Sequence, residues 1–302
     1  MMAIWRVPTW REIAVVMSTV LLPAGMCSAQ IVDNTIAAFN AADIKGYIQP
    51  LADVLGANMN AGLFHSASIG SAEFHLSIEI VGMGSFLGDN EKSYTANSPP
   101  GFNPSTFSTA TIFGGPAVTV TDVNTKASYR GIAPGIINVS ITPLVVPQIT
   151  VGDIEGTRVM LRFISLPSID NLPPTKFWGI GAQHSVSQYL SAFPFDVAAH
   201  LAYNRLEFGS LIDISALSVG LDASKRLSIL SFSGGLAWEK SRMTVKYTQT
   251  APTSTPVDVL IDGVNAFRLT IGLGLRLGLF SIFANVNFGS ITNVSGGIGF
   301  GG

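Results

Sequence analysis

The sequence of 302 residues is poor in cysteine, in charge and in basic runs. Its single cysteine, Cys27, falls in an N-terminal stretch with the marks of an export signal, so no disulfide is expected in the remainder. Charged residues make up 12% and the net charge is −2, which leaves no basic face for a nucleic acid. Long apolar helices are missing as well. Gly131–Gly152 is uncharged but holds Pro134, Pro143 and Pro147, each costing a helix interior about 3 kcal/mol. Leu277–Gly302 is interrupted by Asn285, Asn287, Asn293 and repeated glycines. No G-x-S-x-G elbow or Walker loop occurs, and the four histidines are not spaced as a metal pair. No catalytic, metal or cofactor site is therefore expected.

What is present begins with residues 1–29. Arg6 and Arg11 precede a ten-residue apolar run, Ile13–Leu22, and Cys27-Ser28-Ala29 sets small residues before Gln30. The run is too short to span a bilayer, and Met26 ahead of Cys27 disfavours a lipid anchor. The expected organisation is a cleaved signal peptide over 1–29, a helical segment over 30–61 and a barrel over 62–302.

Alternation with a period of two dominates the rest. Phe267, Leu269, Ile271, Leu273 and Leu275 share one face, opposite Arg268, Thr270, Gly272, Gly274 and Arg276. Phe74, Leu76, Ile78 and Ile80 oppose His75, Ser77 and Glu79 in the same way. In the stretch 280–288, Phe283 is the one apolar residue on the polar side. Strands of this length with one wholly apolar face suit a bilayer-spanning barrel. Ten are expected, at 74–86, 139–151, 156–166, 175–184, 195–207, 213–223, 226–239, 265–276, 278–289 and 292–300. Short pairs inside the long loops would raise the number to twelve. The fold class is all-β, an antiparallel transmembrane β-barrel with an N-terminal helical segment.

Tight turns are expected at Gly152–Gly156, Ala223–Lys225 and Leu277, and long polar loops at 87–138, 167–174 and 240–264. Placing the tight turns on the periplasmic side and the long loops outside reproduces the asymmetry of outer-membrane barrels. Phe163, Trp178, Tyr203, Trp238, Phe267 and Phe288 then cluster near the outer strand ends. Phe74, Phe195, Phe280 and Phe300 cluster near the inner ends, as two interfacial girdles should. Upstream, Ile44, Ile48, Leu51 and Leu55 follow a helix face. Gly46 and Pro50 are expected to break that helix in two. It would act as a plug or, preferably, lie at the periplasmic mouth.

The polar faces nominate lumen residues: His75, Glu79, Arg158, Arg162, Asp196, His200, Arg268 and Arg276. His75 and Glu79, like Asp196 and His200, lie about 13 Å apart by strand rise, too far to bond directly. Mixed charges in a narrow barrel favour a structural network over an ion filter. His184 and His200 are the only candidate bases for an enzyme, and the sequence shows no serine or carboxylate partner for either.

Three stretches carry a resemblance. They are Tyr47-Ile48-Gln49-Pro50-Leu51 with Phe64-His65, Val146-Pro147-Gln148 running into Gly156–Phe163, and Gly179-Ile180-Gly181-Ala182-Gln183-His184-Ser185-Val186-Ser187-Gln188-Tyr189-Leu190 followed by Phe195-Asp196-Val197. These resemble motifs of an uncharacterised family of bacterial outer-membrane β-barrel proteins. The resemblance implies a barrel and brings no activity or site residue. The expected partners are outer-membrane lipid, the barrel-assembly machinery and a small solute. The leading expectation is a narrow channel or uptake protein, and the alternative is a structural protein acting through its outer loops.

Overall fold

The computed structural model describes residues 41–70, 72–131, 133–168, 173–190, 194–249 and 255–301. The expected signal segment and its cleavage point at Gln30 lie outside the described residues.

Among the described residues one α-helix, α1 (Ala41–Met59), precedes fifteen strands, with a single 3-10 turn at Ser187–Tyr189. Ten of them form the wall: β1 (Ala72–Phe86), β6 (Ile141–Ile154), β7 (Thr157–Leu166), β8 (Thr175–Ser185), β9 (Asp196–Phe208), β10 (Ile212–Leu227), β11 (Leu230–Gln249), β13 (Phe267–Leu277), β14 (Phe280–Phe288) and β15 (Asn293–Gly301). All pairings are antiparallel between chain neighbours, and β15 closes the ring on β1. Each of the ten expected strands is present. The long connection after β1 carries two hairpins of its own, β2 (Ser93–Asn97) with β3 (Thr106–Ala110) and β4 (Thr119–Thr121) with β5 (Ser128–Arg130). A further strand, β12 (Thr255–Asp262), folds back on the far half of β11. These extra strands decorate one end and do not enlarge the ring.

Two turns lie further along the chain than expected. Strand β10 runs on to Leu227, so the β10–β11 turn is at Ser228 and Ile229 rather than 223–225. Leu277 still pairs with Phe280, which puts the β13–β14 turn at Gly278 and Leu279. Gly278 has a φ of 63°, the left-handed conformation that suits a glycine. The length asymmetry of the two ends is also less complete than the sequence suggested. Residues 209–211 and 289–292 make short turns at the long-loop end, while at the other end β8 and β9 are separated by ten residues.

Pro143 and Pro147 pair with Gly84 and Ile80 of β1. On their other side, the ladder to β7 runs only from Gln148↔Arg162 to Ile154↔Thr157. Each proline lacks the N–H that would continue it.

The outer face of the wall is an apolar belt. Phe74, Ile78, Leu161, Leu201, Leu236 and Ile271 are all exposed. The expected girdle residues meet across strands. Phe163 is opposite Trp178 and Trp238 opposite Phe267, and the Trp178 and Tyr203 rings lie 5.5 Å apart. At the other end, Phe280 and Phe300 are paired edge to face at 5.2 Å. Beyond the Trp girdle the same face becomes charged, with Arg205 bonded to Asp213 and Arg242 to Asp262. That switch from hydrocarbon-compatible to ion-paired surface marks where the wall leaves the bilayer.

Candidate functional site: the occupied lumen

Inward-facing residues divide the lumen into two zones. Toward the long-loop end they are apolar: Val81, Met83, Leu144, Val146, Phe177, Ile214, Met243 and Val245 are all buried. Toward the tight-turn end they are polar, with Glu79, Gln148, Arg158, Gln183 and His200 among them. Helix α1 occupies the apolar zone. Ile44, Tyr47, Ile48, Leu51, Val54, Leu55 and Met59 are buried in one cluster with the wall residues. Most of the helix is thus enclosed, with Lys45 left on an exposed edge.

Helix α1 is continuous through Pro50, contrary to the expectation of two pieces. Proline removes the donor that the Gly46 carbonyl would otherwise receive, at a cost of about 3 kcal/mol. Enclosure of the whole helix offsets that cost. Gly46 is required for a different reason: a Cβ there would come within 2.2 Å of the Tyr94 ring. The helix is also at the long-loop end, where Asn58 Nδ2 bonds the Thr142 carbonyl and Gln49 Nε2 bonds that of Asp262. The preferred expectation of a helix at the tight-turn mouth therefore does not describe this arrangement.

The connection after β1 closes over the helix. Ile112 N–H donates to the Tyr47 carbonyl at 2.9 Å, and the Tyr47 hydroxyl donates to that of Pro134 at 2.9 Å. Ile112, Phe113 and Ile137 join the same apolar cluster. Asp122 organises the β4–β5 hairpin by accepting from the backbone N–H groups of Asn103, Asn124 and Thr125. Those donors hold its carboxyl down at about 2. Asp53, on α1, accepts from Gln49 Nε2 at 2.8 Å and from Val264 N–H at 3.0 Å. Burial outweighs both bonds and raises its carboxyl to about 6.

Two wall arginines receive the C-terminal end of the helix. Arg162 donates to the carbonyls of Met59, Ala61 and Gly62, and Arg268 to that of Ala57. The Ala57 and Met59 carbonyls are among those a helix end leaves without intrahelical partners, and the Ala61 and Gly62 carbonyls follow directly after it; cations there also oppose the helix dipole. Each arginine has an anionic counterpart. Arg268 pairs with Glu239 at 2.9 Å. Arg162 bonds Gln148 at 2.8 Å, which in turn bonds Glu79 at 2.8 Å. Asn58 completes the seat through Ser85 and Asn293, each at 2.9 Å.

The eight nominated lumen residues all lie on the inward face, but they do not form one site. Glu79, Arg162 and Arg268 belong to the helix seat. Arg158 bonds Asp153 and the Ser68 carbonyl. His75, Asp196 and Arg276 are half-buried near the tight-turn end. His200 is elsewhere, and it corrects the expectation that it has no partners. Its Nδ1 lies 2.7 Å from Asp222 Oδ2 and its Nε2 lies 3.2 Å from Ser218 Oγ. The register explains this. His200 pairs with Gly220, and Ser218 and Asp222 are two residues to either side on the same face. Gly220 also lacks the Cβ that would meet the imidazole at 2.7 Å.

The order Ser–His–Asp matches the connectivity of a hydrolytic triad, yet the surroundings do not suit one. Ser218 is 1% exposed, Phe64 packs on His200 at 6.0 Å, and the adjoining cavity holds about 30 Å³. That is the volume of roughly one water molecule. His184 is likewise bonded, to Thr157 at 2.8 Å and to Tyr189 at 3.0 Å, and holds the Ser187–Tyr189 turn against the wall. Glu239 and Asn58 were missed by sequence reading. Glu239 follows the outward-facing Trp238 on β11, so strand alternation alone would have found it. Asn58 lies on the helix, where polar side chains carry no alternation signal.

A closed, antiparallel, ten-stranded wall with an apolar outer belt defines a transmembrane β-barrel, here with its N-terminal helix inside the lumen. The chain belongs to a family of unknown function, DUF6588, whose model matches residues 11–302. Comparison with curated proteins finds no match. Among solved structures it is similar to the outer-membrane protease OmpT of Escherichia coli, at 7% identity over 78% of this chain and 98% of that one, with a TM-score of 0.36. The translocator domain of the autotransporter NalP from Neisseria meningitidis gives 11% identity, 82% and 92% coverage and a TM-score of 0.27. The OmpF of Salmonella typhi gives 10%, 76% and 97%, with a TM-score of 0.26. Likenesses this low carry no site residue or activity to this chain.

Proposed function

We propose that this protein is a non-enzymatic outer-membrane barrel sealed by its own N-terminal segment, which holds the 87–140 connection as a rigid cap on the outer surface. The observation that carries the reading is the apolar upper lumen. A water-filled passage needs polar lining, whereas Val81, Leu144, Phe177, Ile214 and Val245 would face water if α1 left. Retracting the helix would also strip Arg162 and Arg268 of buried partners. The cap contributes its own packed centre, with Ala96, Phe107 and Val120 buried together. Outer placement of the cap follows the loop asymmetry that outer-membrane barrels share.

A second reading, uptake of a small solute, draws support from the polar space at the tight-turn end. It requires α1 to move. Planar-bilayer recording on the full chain separates the two. The sealed barrel should give no steady conductance, and Arg162→Ala combined with Arg268→Ala should introduce flickering openings. Regular conductance steps from the unaltered protein would overturn the sealed reading in favour of a channel.

A further inference from the structure

A cavity of about 300 Å³ lies in the lumen at the tight-turn end, on the opposite side of the 60–70 segment from the Ser218–His200–Asp222 set. Its existence is written in the sequence. On β13 and β15 the inward positions beside it are Gly274, Gly299 and Gly301, facing Ser231, Ser281 and Ser77 across the strands. Small residues on both sides of each pair leave space where other rows of the lumen are filled. The rim is open, since Arg226 and Ile229 are exposed.

The charges around this space are not balanced locally. Arg158 is neutralised by Asp153 at 2.9 Å. Glu79 is bonded by Gln148 and has His65 at 3.8 Å. Arg226 and Arg276 form no ion pair among the described residues. Arg276 reaches only the Gly278 and Gly301 carbonyls, at 3.4 and 3.3 Å, which leaves guanidinium donors available. The register brings both cations to the same wall. Arg226 is opposite Ser231, and Arg276 is opposite Ser281 on the neighbouring pair of strands. Two like charges sharing one cavity repel each other, and an anion between them would remove that repulsion. Guanidinium groups match the planar or tetrahedral oxygens of carboxylate and phosphate, and the serine hydroxyls add donors.

We propose that this cavity binds a small soluble oxyanion, a phosphate or carboxylate species, held between Arg226 and Arg276 with Ser231 and Ser281 as further donors. At about 30 Å³ per water-sized group, the space takes roughly ten non-hydrogen atoms, the size of a phosphate or a small carboxylate. The site faces the tight-turn side and does not depend on whether the upper lumen ever opens.

The test is a titration of the full chain, folded in an uncharged phosphate-free detergent, with inorganic phosphate followed by isothermal calorimetry at low salt. Saturable one-to-one binding is expected, weakened about tenfold by Arg226→Gln and again by Arg276→Gln. Arg205→Gln, which alters an ion pair on the outer wall, should leave it unchanged. The Arg226 side chain makes no hydrogen bond or ion pair among the described residues, so its variant stays informative even where Arg276→Gln folds poorly. Absence of saturation, equal loss in the Arg205 variant, or unaltered binding in Arg226→Gln would each overturn the proposal. Displacement of phosphate by an equal concentration of dihexanoylphosphatidate would instead mean that a lipid headgroup is the ligand, and would overturn the soluble source.

Discussion

Arg162 Nε donates to Gln148 Oε1 at 2.8 Å, across a single rung of the β6–β7 ladder. The remaining donors of the same guanidinium are then directed away from the wall and onto the carbonyls that end α1. One side chain, 1% exposed, thus joins the barrel to its contents. Arg162→Met keeps the bulk but leaves those carbonyls, Gln148 and Glu79 without their cation. Breaking a buried charged network on one side costs about 3–5 kcal/mol. The variant should unfold at a lower temperature in heat-modifiable gel mobility, and trypsin should reach Lys45, which lies on the exposed edge of the helix. Unchanged mobility together with a protected Lys45 would mean that the helix is held by packing alone.

A pH dependence follows from Asp53. Its carboxyl is raised from 3.8 to about 6 in the folded protein, so the folded state binds the extra proton between those values. Stability is therefore greatest below about 4, falls as the pH rises through this window, and is constant above it. The full difference is about 3 kcal/mol. Asp53→Asn keeps the acceptor for Val264 and removes the ionisation. The gain of Asp53→Asn over the parent should be near zero in acid and reach its full size at neutral pH, read from denaturant unfolding of the helix and cap. A gain independent of pH would assign the effect to something other than ionisation.

The His200 set should behave as structure. A fluorophosphonate probe should leave Ser218 unlabelled in the folded protein, because Phe64 and Leu63 cover it. Gly220→Ala should destabilise the barrel by about 1–3 kcal/mol, since the new methyl meets both the imidazole and the Leu236 carbonyl. Labelling of Ser218 that Gly220→Ala abolishes would point to a working nucleophile instead.

The wall is tested at Ile271, which is 57% exposed in the middle of the belt on β13. Ile271→Arg should cost about 2–4 kcal/mol at the bilayer midplane. Refolding into lipid vesicles across a urea series reads this directly, and a neutral result would place that face away from hydrocarbon.

The wall was legible in the sequence because its signal is strictly local. Leu269, Ile271 and Leu273 alternate with Arg268, Thr270, Gly272 and Gly274 whatever their neighbours are. The contents of the lumen were not legible for the opposite reason. The inward positions of β10 read Ile214, Ala216, Ser218, Gly220 and Asp222, an apolar end passing into a polar one. That gradient acquires meaning only when the helix it receives is known to lie beside it. Pro50 and Gly46 argued locally for a broken helix, and tertiary enclosure overrode both. The partners of His200 lie on another strand, eighteen and twenty-two residues away, and only the register of β9 against β10 brings them together.

The seat of α1 in the lumen is tested most directly by hydrogen exchange of residues 41–59 in the folded, lipid-embedded protein. Amides of the last turns, from Val54 to Met59, should exchange as slowly as those of β9 and β10, because the helix can open only when the barrel does. Exchange of the whole helix at rates near those of an unstructured chain, with the wall still protected, would contradict a permanently sealed barrel.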